Sequence, residues 1–203
     1  MRPGPEQGGQ WGILGGTFDP VHYGHLTLAN EIRVRKRLTG VMLVPSLRHP
    51  FKKDQCQASF ADRLEMLKLA VETHEHLSVS DIESDMNLSG YTLDTVRALK
   101  NLYPQAEFFF IMGADNLSEL DQWHSPRQIF EEVKILVGSR PVFDKKKLSA
   151  LRIDSIELIP TILVNISSTE IRRRIKEHAP SEELDKLMPP KVREYIRQRK
   201  LYR

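Results

Sequence analysis

A chain of 203 residues with 40% hydrophobic and 28% charged content is long enough to build one domain around its own core, which excludes disorder over most of its length. Its longest apolar run, Phe108 to Ala114 with Gly113 counted, is far short of the roughly 20 residues of a bilayer-spanning helix, so no membrane partner is expected. The net charge of +3 is small but uneven: residues 171–203 carry 11 basic and 5 acidic side chains, a surplus of +6 that leaves the remainder at −3.

Residues 1–10 hold three Gly and two Pro without an apolar stretch, which predicts a disordered leader, not a secretory signal, ahead of a single domain over residues 11–203. The lone Cys56 cannot form an internal disulfide framework and fits a reducing cytoplasm. Trp11 to Leu14 reads as a first strand that Gly15-Gly16 ends, followed by a helix over about His25 to Arg37 and a second strand over Val41 to Val44 that Pro45 stops. After a polar loop containing Pro50, Lys52 and Lys53, a helix runs over about Ser59 to Glu72, then a strand over Leu77 to Ile82. Thr92 to Leu102 is the next helix, and Glu107 to Met112 is the strongest strand, its three adjacent Phe residues suggesting burial on both faces. A short helix over Asn116 to Trp123, a segment over Pro126 to Glu132 and a strand over Val133 to Gly138 follow, with Ile156 to Leu158 as a candidate sixth strand. Pro141 to Ala150 reads as a surface loop, and helices over Ser168 to Glu177 and Pro190 to Leu201 close the chain. This alternation predicts an α/β fold: an open, Rossmann-like parallel sheet of five to six strands with helices on both faces.

The first chemical motif, Gly15-Gly16-Thr17-Phe18-Asp19-Pro20-Val21-His22-Tyr23-Gly24-His25, falls where the first strand turns into the first helix, at the sheet edge where ligands collect. Paired glycines let backbone amides approach a phosphate, and a helix start adds its partial positive charge. Either imidazole alone reads as a cap or a packing residue. His22 and His25 together, three positions apart behind Gly-Gly, can both donate to one phosphate group. The second motif is Ile166-Ser167-Ser168-Thr169-Glu170-Ile171-Arg172. One hydroxyl suffices to cap a helix; three hydroxyls, the bare amides of the first turn and Arg172 suggest a second phosphate cradle, and give part of the basic surplus an anion to serve.

These two stretches resemble the T/HxGH and ISSTxIR signatures of the nucleotidyltransferase α/β phosphodiesterase superfamily. Over about Trp11 to Tyr202 the chain is similar in particular to the bacterial nicotinate-nucleotide adenylyltransferases, through Gly90-Tyr91-Thr92-Leu93-Asp94-Thr95, Phe110-Ile111-Met112-Gly113-Ala114-Asp115-Asn116-Leu117 with Trp123 downstream, and Arg140-Pro141. The resemblance implies transfer of AMP from ATP to nicotinate mononucleotide, with Mg²⁺ bound mainly by phosphate oxygens and water and no protein metal ligand. It implies that His22, His25 and Arg172 act on the phosphates, and that Gly15, Gly16, Thr17, Phe18, Gly24, Arg140, Ile166, Ser167 and Ser168 hold ATP. Lys52, Lys53, Tyr91, Thr92, Asp115 and Trp123 would hold the acceptor. The acceptor loop, Pro45-Ser46-Leu47-Arg48-His49-Pro50-Phe51-Lys52-Lys53, departs from the family's Pro-x-x-x-Pro-x-His-Lys order, so His49, Lys52 and Lys53 are alternatives for one role. Three other readings stay open: transfer to nicotinamide mononucleotide, transfer to another phosphate such as phosphopantetheine, and nucleic-acid binding through the basic residues after Ile171. A homo-oligomer is also left open.

Overall fold

The computed structural model describes residues 4–47, 56–139, 155–162, 164 and 166–203. Six parallel strands form one sheet: β1 (Gly9–Gly16), β2 (Gly40–Pro45), β3 (Leu77–Val79), β4 (Ala106–Gly113), β5 (Lys134–Ser139) and β6 (Ile156–Pro160), in the spatial order β3-β2-β1-β4-β5-β6. The order reverses between β1 and β4, and in an open parallel sheet the crevice outside the carboxyl ends of such a pair is where a ligand is received.

Side-chain alternation along the strands explains why both faces are covered. Leu14, Val41, Leu43, Phe109 and Ile111 point to one side, against α1 (Tyr23–Lys36), α2 (Phe60–Val71) and the helices after Ser167. Ile13, Met42, Val44, Phe108, Phe110 and Met112 point to the other, against α3 (Ile82–Asp85), α4 (Thr92–Leu102), a 3-10 helix (Ala114–Gln122) and α5 (Pro126–Glu132). The three adjacent phenylalanines are therefore buried on both faces, as their run suggests. The last helices are α6 (Ser168–Lys176), α7 (Ser181–Leu184) and α8 (Pro190–Arg199).

The structure departs from two expectations and adds two short helices. Residues 4–10 are ordered, against the expectation of disorder: Pro5–Gln7 forms a 3-10 turn with Pro5 buried, β1 begins at Gly9 opposite Ala106, and Trp11 Nε1 donates to the Gly8 carbonyl at 3.1 Å. The third strand ends at Val79 instead of Ile82, because the Ser80 hydroxyl accepts the Ile82 N–H at 3.3 Å and turns the chain into α3. Short helices α3 and α7, four residues each, carry too little periodicity to be read from sequence. The Pro141 to Ala150 segment lies outside the described residues.

Candidate active site

A cavity of about 450 Å³ opens at the carboxyl ends of β1 and β4. Gly15, Gly16 and Thr17 line it from the end of β1, and His22, Gly24 and His25 from the start of α1. Tyr91, Thr92, Asp115 and Trp123 form another wall, and Ile166, Ser167 and Ser168 a third. Residues as far apart in sequence as Gly15 and Ser168 thus share one space. His49, Lys52, Lys53 and Arg140 lie outside the described residues.

The histidine pair is built by the way α1 begins. His22, in extended backbone, is the last residue before the helix, and its N–H donates to Nδ1 of His25 at 3.3 Å. Nδ1 accepting a hydrogen bond places the proton of a neutral His25 ring on Nε2. The two rings stack with centroids 3.7 Å apart, and Phe18 meets His25 edge-on at 4.9 Å from beneath. Phe18 is thus fully buried support for the imidazole and not part of the cavity wall expected of it. Gly24 is dictated by its neighbour: a Cβ there would stand 2.9 Å from Nδ1 of His22. Ala is a better helix former than Gly by about 1 kcal/mol. Gly24→Ala is therefore expected to keep or raise the melting temperature while lowering turnover at least about tenfold by displacing the stacked ring, as a thermal melt run beside an activity assay would show.

Burial pushes His22 from its ordinary 6.5 down to about 4, and burial together with the neighbouring His22 holds His25 well below that ordinary value. Both rings are therefore neutral donors at pH 7. An unfolded chain takes up protons on these imidazoles below about pH 6.5, whereas folded His22 does so only near 4, so the folded state loses stability as pH falls across that interval. The midpoint of thermal unfolding is expected to drop between pH 7.5 and pH 5, and the drop to shrink in His22→Gln.

The second cradle starts at Ser167, whose hydroxyl accepts the Glu170 N–H at 3.2 Å and caps α6. With that amide taken, the Ser168 and Thr169 amides are what α6 presents to an anion. The remaining hydroxyls are spent differently from the expectation: Ser168 Oγ donates to the Pro20 carbonyl at 2.9 Å, and Thr169 Oγ1 accepts from Arg172 at 3.3 Å. Arg172, expected on the outer phosphates, makes its contacts beside the cavity. It is not on the cavity wall; its guanidinium donates to the Asp19 carbonyl at 2.7 Å and lies 3.9 Å from the Asp19 carboxylate. Both contacts lock the start of α6 onto the turn that carries the histidines, so the two motifs converge.

Three buried charges organise the remaining walls. The carboxylate of Asp19 accepts the N–H groups of Gln57 at 2.8 Å and Ala58 at 3.1 Å and the phenol of Tyr202 at 2.6 Å. Arg63, 2% exposed, donates to the carbonyls of Thr17 at 2.7 Å and Ser46 at 2.9 Å, tying the ends of β1 and β2. Glu83 reaches the cavity wall and accepts from Leu47 N–H and Thr95 Oγ1, both at 2.8 Å. Burial raises its carboxyl above the ordinary range despite those two donors and the nearby Arg63. On the acceptor wall, His124 stacks on Tyr91 at 4.4 Å and Trp123 meets Phe110 edge-on at 5.6 Å. Asp115 lies close against Gly113, where a Cβ would collide with its carboxylate.

Residues 13–174 match the cytidylyltransferase-like family model. A protein of Desulfitobacterium hafniense named probable nicotinate-nucleotide adenylyltransferase is 39% identical over 199 residues, covering 95% of each chain, and one of the same name from Moorella thermoacetica is 38% identical over 203 residues, covering 96% of this chain and 92% of that one. The chain belongs to the nicotinate-nucleotide adenylyltransferase family. Its fold is also that of the Plasmodium falciparum nicotinic acid mononucleotide adenylyltransferase solved with NaAD, at a TM-score of 0.80 with 21% identity, covering 95% of this chain and 97% of that one.

The sequence motifs of this adenylyltransferase do not single out Asp19, Arg63, Glu83 or His124. Asp19 lies within the glycine-histidine motif and His124 directly follows Trp123. Arg63 and Glu83 give no local signal, because each acts through a partner at least 12 positions away.

Proposed function

We propose that this adenylyltransferase moves AMP from ATP to the phosphate of nicotinate mononucleotide, yielding deamido-NAD and pyrophosphate as a step of NAD biosynthesis, with the chain from β1 onward acting as one domain. The observation that carries this reading is the convergence of the α1 start and the α6 start on one cavity whose far wall holds Tyr91, Thr92 and Trp123.

The acceptor is a phosphate monoester with a second pKa near 6, so its attacking oxygen is mostly ionised at pH 7 and needs no general base. That oxygen forms a bond to the α-phosphorus of ATP while the bond from the α-phosphorus to its bridging oxygen breaks, and pyrophosphate leaves. Catalysis then consists of in-line placement and neutralisation of phosphate charge. His25, held with its proton on Nε2, and His22 beside it donate to the phosphates, and the Ser168 and Thr169 amides take the outer ones. Gly15, Gly16 and Thr17 bring backbone close to the reacting phosphate. Arg172 and Phe18 serve from behind, one by joining α6 to Asp19 and the other by supporting His25. Trp123 offers a face to the pyridine ring, and the Thr92 amide at the start of α4 suits its carboxylate, the Tyr91 N–H beside it being taken by the Ser89 hydroxyl at 3.1 Å.

Mg²⁺ fits this site as an ion carried in with the triphosphate. The phosphate oxygens and water hold it, and the carboxylate of Asp115 on the cavity wall suits the ion's water shell. The ion would supply charge neutralisation on the phosphates.

Nucleic-acid binding through the basic residues after Ile171 draws less support. Arg173 and Arg174 pair with Glu170, Lys191 with Glu72 and Arg199 with Asp62, and Arg172 lies near Asp19, so carboxylates from earlier in the chain offset much of that surplus within the fold. No helix among the described residues is long and apolar enough to cross a membrane.

Pyrophosphate release from ATP and Mg²⁺ with nicotinate mononucleotide, compared with nicotinamide mononucleotide and phosphopantetheine, tests the reading. Turnover highest with the nicotinate acceptor is expected; preference for either other acceptor would overturn it.

A further inference from the structure

Tyr202 does not touch the cavity, yet its phenol reaches the residue at which both cradles meet. Past α8 the chain adopts left-handed backbone at Lys200 (φ 56°) and Tyr202 (φ 63°), a conformation that side-chain-bearing residues seldom take. It returns the Tyr202 ring to the interior, 7% exposed, beside Asp19 at 2%. The phenol donates to Oδ1 of Asp19, 183 positions earlier. Asp19 stands in the turn between the end of β1 and His22, its own carbonyl accepts from Arg172, and the next carbonyl, of Pro20, accepts from Ser168. Burial and the facing carboxylate push ionisation of the phenol well above its ordinary range, so it remains a donor wherever the enzyme works.

We propose that Tyr202 is a positioning residue for AMP transfer: by holding Asp19 it fixes the two imidazoles at a working distance from the first turn of α6. This rests on the adenylyltransferase reading above. Without the phenol hydroxyl, Asp19 keeps the Gln57 and Ala58 amides but loses the donor that pins Oδ1 from the side of α8. The turn then shifts relative to α6, and small misplacement of groups that must be in line falls on the reacting step more than on ground-state binding.

A control exists in the same region. The Tyr195 phenol donates to Oδ1 of Asp62 at 3.0 Å, near the start of α2 and away from the cavity wall, so Tyr195→Phe removes a comparable bond without reaching Asp19. Both variants are assayed for pyrophosphate release from ATP and nicotinate mononucleotide, well below their melting midpoints. Tyr202→Phe is expected to lower kcat at least about tenfold while KM for ATP moves less than about threefold, and Tyr195→Phe to stay within about twofold in kcat. Three results would overturn the assignment: Tyr202→Phe at the wild-type kcat, an equal loss in Tyr195→Phe, or a Tyr202→Phe protein without a cooperative melt, which would make the bond a folding determinant. A wild type that releases no pyrophosphate overturns the adenylyltransferase reading and this role with it. An active wild type with an unaffected Tyr202→Phe overturns this role alone.

Discussion

His25→Ala is expected to lower AMP transfer at least about a hundredfold while the protein still folds, the scale of removing one preorganised donor from a charged transition state. The size follows from how completely the imidazole is prepared. Its Nδ1 accepts the His22 N–H, so the other nitrogen carries the proton, and its plane is fixed between the His22 ring and the Phe18 edge. No reorganisation is needed at the moment of reaction. The folded state loses one acceptor for a backbone N–H, a cost of about 1–3 kcal/mol, which lowers the melting midpoint by several degrees without abolishing the transition. Steady-state turnover and a thermal melt on the same preparation separate the two effects. Near-normal turnover in a folded His25→Ala would remove His25 from the reaction.

Asp19→Ala is expected to be the more disruptive change, costing about 3–5 kcal/mol of stability, as breaking a buried charged network does. Its side chain satisfies Gln57 N–H, Ala58 N–H and the Tyr202 phenol, and lies near Arg172, so one truncation orphans donors from the approach to α2 and the end of α8 and removes a counter-charge from α6. A loss of that size corresponds to roughly 6–20 °C in melting midpoint for a chain of this length. Activity should fall in the surviving folded fraction too, since the histidines and the α6 start both hang on this turn. Calorimetry decides the first expectation; a midpoint within a degree or two of wild type would show that the buried bonds at Asp19 carry little of the fold.

The sheet was legible because its strands announce themselves twice, by β-branched and aromatic runs and by the glycines and prolines that stop them. Phe108 to Phe110 even revealed that both faces are covered, since three consecutive large apolar residues leave no solvent side. The imidazole pair and the capped helix at Ser168 were legible for a similar reason: each is a local motif at a helix start. What stayed hidden acts over distance. The Tyr202 to Asp19 bond spans 183 positions and the Arg63 to Thr17 bond 46, and a Tyr near the end of a basic helix or an Arg inside an amphipathic one reads as ordinary surface. Arg172 shows the same limit from the other side. Its position in a phosphate motif suggested a phosphate ligand, whereas a backbone carbonyl 153 positions away holds its guanidinium. Glu83, a buried carboxylate on a four-residue helix, has no periodicity to reveal which way it faces.

The central claim is that the α1 start and the α6 start grip one triphosphate between them. A crystal structure with a non-hydrolysable ATP analogue tests it most directly. The account predicts phosphate oxygens within hydrogen-bonding reach of the His22 and His25 rings and of the Ser168 and Thr169 amides at once. A triphosphate bound to only one of these two stretches, or at the opposite edge of the sheet, would contradict it.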